Sequence, residues 1–422
     1  MKKLFVFIAL LFCISTQAQF EKCFHNRSLR IDYYHTGDHE KEIYSIDELL
    51  AEPYWGGSKV NLIDTFGYGK YCFKVFDLAT DSLIYSRGYS SLFGEWQTTD
   101  EARETKRSFS ESIVFPFPKK DVRVDFYSRS WRGELIKKFS YAVDVDSYFI
   151  KPEQRLEYPV YDAYVTGDPA ERVDILILPD GYTEAEMELF QQDCNTFKEA
   201  LFSFSPYDQN RDKFNIRGVM APSKDSGIDI PADSVWKRTI LNSSFYTFDS
   251  ERYCMTMDNK SIRDLAANAP YDQIYILAND PKYGGGGIYN FYCLSVNSNS
   301  AAAKIFIHEF GHGFAGLGDE YYADEVAYND FYNTEVEPWQ PNLTTLKDFT
   351  SKWEDMLADS IPVPTPQTEP YMDVLGVFEG GGYTAKGVFR PSYDCLMHTF
   401  RGSVFCRACE RAIQQMIDFY AE

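Results

Sequence analysis

The stretch FIHEFGHGFAGLGDEYY, residues 306–322, constrains this chain more than any other. Phe306, Ile307, Phe310, Phe314 and Leu317 make it apolar around most of a helix, and the alanines at 301–303 favour that state from the start. A helix this apolar has to be buried, yet it carries His308 and His312, and buried imidazoles need partners. Residues i and i+4 lie about 40° apart on one helix face, so the two histidines can hold one ion between them. Imidazole donors suit zinc.

Glu309 sits about 100° round the helix from His308, badly placed as a third ligand but able to reach an attacking water. That is the position of a general base in metal-assisted hydrolysis. Gly311 and Gly313 each cost about 1 kcal/mol against alanine inside a helix, and read as clearance beside a crowded metal. Gly316 and Gly318 then allow a left-handed turn that ends the helix and sends the chain back toward the ion. The third ligand is therefore sought at Asp319 or Glu320, because no histidine follows until His398. Asp319 is the favoured choice, being a short side chain just past the turn.

The remaining chain supplies the context. "MKKLFVFIALLFCISTQAQF" has a basic start, a short apolar run and a small-residue cleavage site, so residues 1–18 are expected to be a signal peptide and the mature protein to be exported. No later stretch approaches transmembrane length. With 42 basic and 63 acidic residues the net charge is −21, which argues against nucleic acid or anionic membrane surfaces as partners. Eight cysteines follow the leader: Cys23, Cys72, Cys194, Cys254, Cys293, Cys395, Cys406 and Cys409. A bridge among the last three would clip the C-terminal segment, and buried free thiols are the competing expectation. A zinc ribbon is rejected, since Cys406-x-x-Cys409 has no second such pair.

Residues 19–146 read as short alternating, aromatic-rich strands joined by turns such as "LATDS" and "PFPKKD", the pattern of an N-terminal all-β sandwich. "SIDELLAEP" alone there suggests a helix. Residues 147–171 lose periodicity and are expected to link to an α/β domain over 172–422. That half alternates strands such as "RVDILILPDGY" with helices, one beginning at a Thr183/Glu186 capping box. "KYGGGGIYNFYCLSV" reads as a glycine loop feeding an edge strand.

His-Glu-x-x-His followed by a glycine turn and a nearby ligand resembles the metzincin metallopeptidases, with the ligand slipped by one residue from the usual register, which would fall on Gly318. "HEFGHGFAGLGDEYY" is similar in particular to the IgA peptidase family of secreted bacterial zinc metallopeptidases, and "ILPDGYTEAEM" and "APSKDSGID" extend the likeness. The resemblance implies a metzincin-like catalytic domain, with His308, His312 and Asp319 holding Zn2+ and Glu309 as base. It implies hydrolysis of protein or peptide substrates by water activated on the zinc, at the bacterial surface, in the periplasm or outside the cell, but not that immunoglobulin is the substrate. Metzincins also carry a methionine turn beneath the metal, and "RPSYDCLMHTF" fits it with Met397. His398 beside it reads as a hydrogen-bonded neighbour of the site, a transition-state stabiliser or an alternative ligand. Tyr321 and Tyr322 are weaker oxyanion candidates. A cytidine-deaminase reading fails, because the glutamate adjoins the histidine and no proline precedes Cys406. The rival from another class is a surface glycan- or protein-binding molecule with a degenerate catalytic half, against which the intact Glu309 stands.

Overall fold

The structure is a computed structural model that describes residues 19–152, 156–322, 332–400 and 404–421. The expected signal peptide lies outside them. The N-terminal region contains two four-stranded sheets. The first has the order β5-β1-β2-β8, from β1 (Phe24–Gly37), β2 (Glu42–Glu52), β5 (Arg107–Pro118) and β8 (Ile150–Lys151). The second has the order β4-β3-β6-β7, from β3 (Tyr71–Asp77), β4 (Leu83–Tyr89), β6 (Val122–Arg129) and β7 (Leu135–Val143). Their inner faces share one core. Tyr33 of β1 meets Phe126 of β6 edge-on at 5.2 Å, and Phe115 of β5 tilts against Phe73 of β3 at 6.0 Å. The heavy aromatic content is spent in this layer, where large rings fill the space between pleated surfaces.

"SIDELLAEP" is a strand rather than a helix: most of it lies in β2, paired antiparallel with β1 across a bulge at Asp32/Tyr33. Its leucines satisfy a helical count, but the ladder to β1 and the buried Leu50 and Ala51 override that local preference. The stretch read as a linker does more than connect. It gives β8 to the first sheet, where Leu49 pairs with Ile150, and β9 (Val160–Tyr164) to the sheet of the second half.

That second sheet has six strands in the order β13-β14-β12-β10-β11-β9. β10 (Val173–Asp180), β11 (Phe214–Val219), β12 (Gln273–Ala278) and β14 (Tyr292–Val296) run parallel, and β13 (Gly285–Ile288) and β9 close the edges antiparallel. Every residue of β10 is buried, as a strand covered on both faces requires. The glycines expected as a loop are themselves the edge strand β13. The helix after β10, α2 (Met187–Leu201), follows one turn of 3₁₀ helix headed by the Thr183/Glu186 capping box. A hairpin of β15 (Phe378–Gly381) and β16 (Thr384–Arg390) and a last helix, α5 (Arg407–Ala421), complete the half, with a short N-terminal helix α1 (Leu92–Trp96), α3 (Asn259–Ala266) and α4 (Ala302–Ala315). The regions are joined by buried polar links. Arg30 donates to Asp264 at 2.8 Å, and the Ser90 amide donates to the Tyr289 carbonyl at 2.9 Å.

Candidate active site

Helix α4 carries the His-Glu-x-x-His stretch and lies against β13 and β14. Gly313 is required by this packing, because a Cβ there would fall 2.2 Å from the Cys293 Sγ of β14. At Gly311 a Cβ would crowd the Met397 sulfur at 3.1 Å. Among the described residues, the helix glycines make room for Cys293 and Met397. The helix ends at Gly316 in the left-handed conformation, φ +64°, which a side chain would strain. Gly318 serves a different purpose: a Cβ would come within 2.5 Å of Leu343.

Both histidines are oriented through Nδ1. That nitrogen lies 3.0 Å from the Leu396 carbonyl in His308 and 2.6 Å from the Leu317 carbonyl in His312. A carbonyl only accepts, so each Nδ1 carries the proton and each Nε2 presents its lone pair. The two Nε2 atoms stand 3.1 Å apart. Past the turn, Asp319 Oδ1 comes to 3.2 Å from Nε2 of His308 and 3.4 Å from Nε2 of His312. Zinc–nitrogen bonds of about 2.0–2.1 Å put the corners of a tetrahedron about 3.3 Å apart, so the three atoms fit three corners. Asp319 Oδ1 is buried and accepts no hydrogen bond, an orphan that a cation would satisfy. Its other oxygen accepts from the Tyr383 hydroxyl.

The electrostatics of the trio agree. Burial opposes a charged Asp319, yet His312 and His308 hold its carboxyl well below the usual range. Burial would likewise lower His312, but the Asp319 carboxylate outweighs it and lifts the imidazole to about 9, so a proton occupies Nε2 at neutral pH until a cation displaces it. Such a site favours positive charge. Glu309 points beside it, half-buried, its carboxyl raised by burial against the opposing pull of both histidines.

The trio and Glu309 face a cleft of about 1140 Å³. Gly285, Gly286 and Gly287 of β13 form one wall beside α4. The opposite wall comes partly from the N-terminal region, including Glu42, Lys70, Glu95, Arg129 and Lys138. Glu95 on α1 accepts from the Tyr253 hydroxyl, and burial lifts its carboxyl to about 7 despite that bond.

Of the other sequence candidates, Met397 is fully buried under the helix, and its carbonyl accepts from the Glu320 amide at 2.8 Å. Glu320 turns away from the cleft. Its Oε1 accepts from Asn342 at 2.9 Å and lies 3.2 Å from Cys409 Sγ. His398 lines the cleft with Nδ1 3.6 Å from Asp394 and is not gathered into the trio. Tyr321 faces the cleft, whereas Tyr322 is exposed and packs against Gly380 and Arg390. All eight described cysteines are free thiols.

Three residues of the site carry no local sequence signal. Asn342 clamps the turn, accepting from the Gly318 amide at 2.7 Å and donating to the Gly318 carbonyl at 2.9 Å. Tyr383 holds Asp319, and Glu95 reaches in from the other half. Each acts across a long sequence separation.

Residues 162–373 and 367–417 match the family profile described as IgA Peptidase M64. Residues 19–140 match the one described as Peptidase M64 N-terminus. A search of curated proteins by sequence finds no match.

Proposed function

The chain belongs to the IgA peptidase M64 family, and from that premise we propose that it is an exported zinc-dependent endopeptidase, with a metzincin-like catalytic domain preceded by a β-sandwich. His308, His312 and Asp319 hold the ion, and the observation that carries this assignment is the convergence of two Nε2 atoms and one unpartnered carboxylate oxygen within 3.4 Å. Zinc, when bound, polarises the scissile carbonyl and makes water acidic enough to attack at neutral pH.

The protein's own groups do the rest. Glu309 takes the proton of the attacking water and returns it to the leaving amine; its burial raises its basicity for the first step. Leu396 and Leu317 carbonyls keep the histidine tautomers fixed, and Tyr383 keeps Asp319 aimed. An extended peptide lies beside Gly287 of β13 in the cleft wall, since Gly285 of the same strand already bonds with Arg252 and Cys254. The N-terminal wall closes the cleft from the other side. Among the described residues no helix is long and apolar enough to cross a membrane.

The test is hydrolysis of an unstructured protein substrate alongside zinc per chain. Activity that a chelator abolishes and zinc restores supports the reading; hydrolysis unaffected by complete removal of metal refutes it.

A further inference from the structure

Behind the Asp319 segment lies a second cluster: Glu320, Cys395, Cys406 and Cys409, whose donor atoms all fall within 4.8 Å of one another. Cys395 is two residues before Met397, and Cys406 and Cys409 open onto helix α5. Cys395 Sγ and Cys409 Sγ are 3.8 Å apart, and Glu320 Oε1 is 3.2 Å from Cys409 Sγ. Zinc–sulfur bonds of about 2.3 Å place two corners of a tetrahedron about 3.8 Å apart, and a sulfur and an oxygen corner about 3.5 Å apart. The Cys395–Cys409 and Glu320–Cys409 separations are close to those edges, and Cys406 lies within reach of the same centre.

A second observation is independent of the distances. Glu320 is fully buried, and its Oε2 has no hydrogen-bond partner. No cation lies within ion-pair reach of it among the described residues. Arg390, which acts on it from farther off, gives its Nη protons to the carbonyls of Glu379, Gly380 and Tyr393. A fully buried carboxyl oxygen without a hydrogen-bond partner calls for an explanation, and a bound cation supplies one. A disulfide would use two of the three thiols and leave Glu320 Oε2 without a partner; a divalent ion would use all four groups.

We propose that Glu320, Cys395, Cys406 and Cys409 form a second, closed zinc site that is structural rather than catalytic. Binding releases the protons of the three thiols and leaves a S3O site with no corner open to the cleft. It pins the segment bearing Asp319 to the methionine turn and to the last helix. Thiolate donors select zinc over magnesium or calcium.

Metal analysis of the purified full chain tests this. Zinc at two per chain in the unaltered protein, one in His308→Ala/His312→Ala and one in Cys406→Ser/Cys409→Ser is the expected result. Zinc at one per chain, lost in the histidine variant and kept in the cysteine variant, overturns it. One per chain with the opposite pattern upholds this site while refuting zinc at the histidines. If the cysteine variant does not fold, cobalt(II) replaces it as the test. Sulfur-to-cobalt charge-transfer bands are expected in the histidine variant, and a cobalt spectrum lacking them overturns the proposal. So does a disulfide among the three cysteines, detected by intact mass after alkylation without reductant.

Discussion

Asp319 and Glu320 are neighbours in the chain, yet they point into opposite environments. Asp319 meets two imidazoles at the cleft, whereas Glu320 lies among three thiols where it is fully buried. As proposed, the two clusters would differ as catalytic and structural zinc sites do: one would leave a corner for water and substrate, the other would use every corner for the fold. The two side chains leave the chain in different directions, so one short segment serves both. The amide of Glu320 bound to the Met397 carbonyl, and the Asn342 clamp on Gly318, hold that segment still.

The largest expected effect separates chemistry from binding. Glu309→Gln should lower kcat/KM by about 10²–10⁴-fold, because an amide cannot take the proton, while leaving the metal content unchanged. Steady-state hydrolysis alongside metal analysis reads both; near-normal hydrolysis would remove Glu309 from the role of base.

Next comes the pair itself. Asp319→Ala should lose the ion at the histidines and with it the activity, whereas Glu320→Ala should keep that ion and most activity but lower Tm. His398→Ala should keep both metals, since no contact draws His398 into either group. Should Glu320→Ala alone empty the histidine site, the two roles assigned to this segment would have to be exchanged.

Asn342→Ala should act more weakly and on both clusters. It leaves the Gly318 amide and carbonyl unpaired at a fully buried position, which costs about 1–3 kcal/mol of stability. Loss of an orienting group of this kind weakens metal binding by about 10–100-fold. Thermal unfolding and a zinc-chelator titration measure the two effects. A variant unaltered in both would show that the turn holds itself.

How legible this arrangement is in the sequence depends on the range of each interaction. Helix α4, its end at Gly316 and the return of Asp319 follow from local patterns, because spacing on one helix and one turn decides them. The N-terminal strands are legible from alternation. β2 is misread because its partner strand, not its own leucines, decides its state. The second cluster is hidden for the same reason: a search for paired Cys-x-x-Cys motifs misses a set completed by Cys395 and by Glu320, far earlier in the chain. Tyr383 and Glu95 likewise reach the site through topology, which residue spacing does not encode.

The smallest effect contrasts a cleft that exchanges protons with solvent and a cluster that does not. Glu95 sits in the cleft wall, its carboxyl raised by burial from 4.5 to about 7 in the fold, against the opposing Tyr253 hydrogen bond. At pH 4 both folded and unfolded chains carry the proton, and the folded state has its full stability. Between about 4.5 and 7 the unfolded chain has lost that proton and the folded one has kept it. The folded state then binds more protons, so stability falls as pH rises through this window, and above it the whole penalty of a buried charge is present. Glu95→Gln removes this contribution. It should stabilise the protein at pH 8 relative to pH 4.5 by on the order of 1–2 kcal/mol, discounted for solvent reaching the cleft. Denaturant unfolding at the two pH values, compared with the unaltered chain, measures it. Equal pH slopes in the two proteins would show that Glu95 is already ionised in the fold, and that the N-terminal wall presents a negative charge to the substrate.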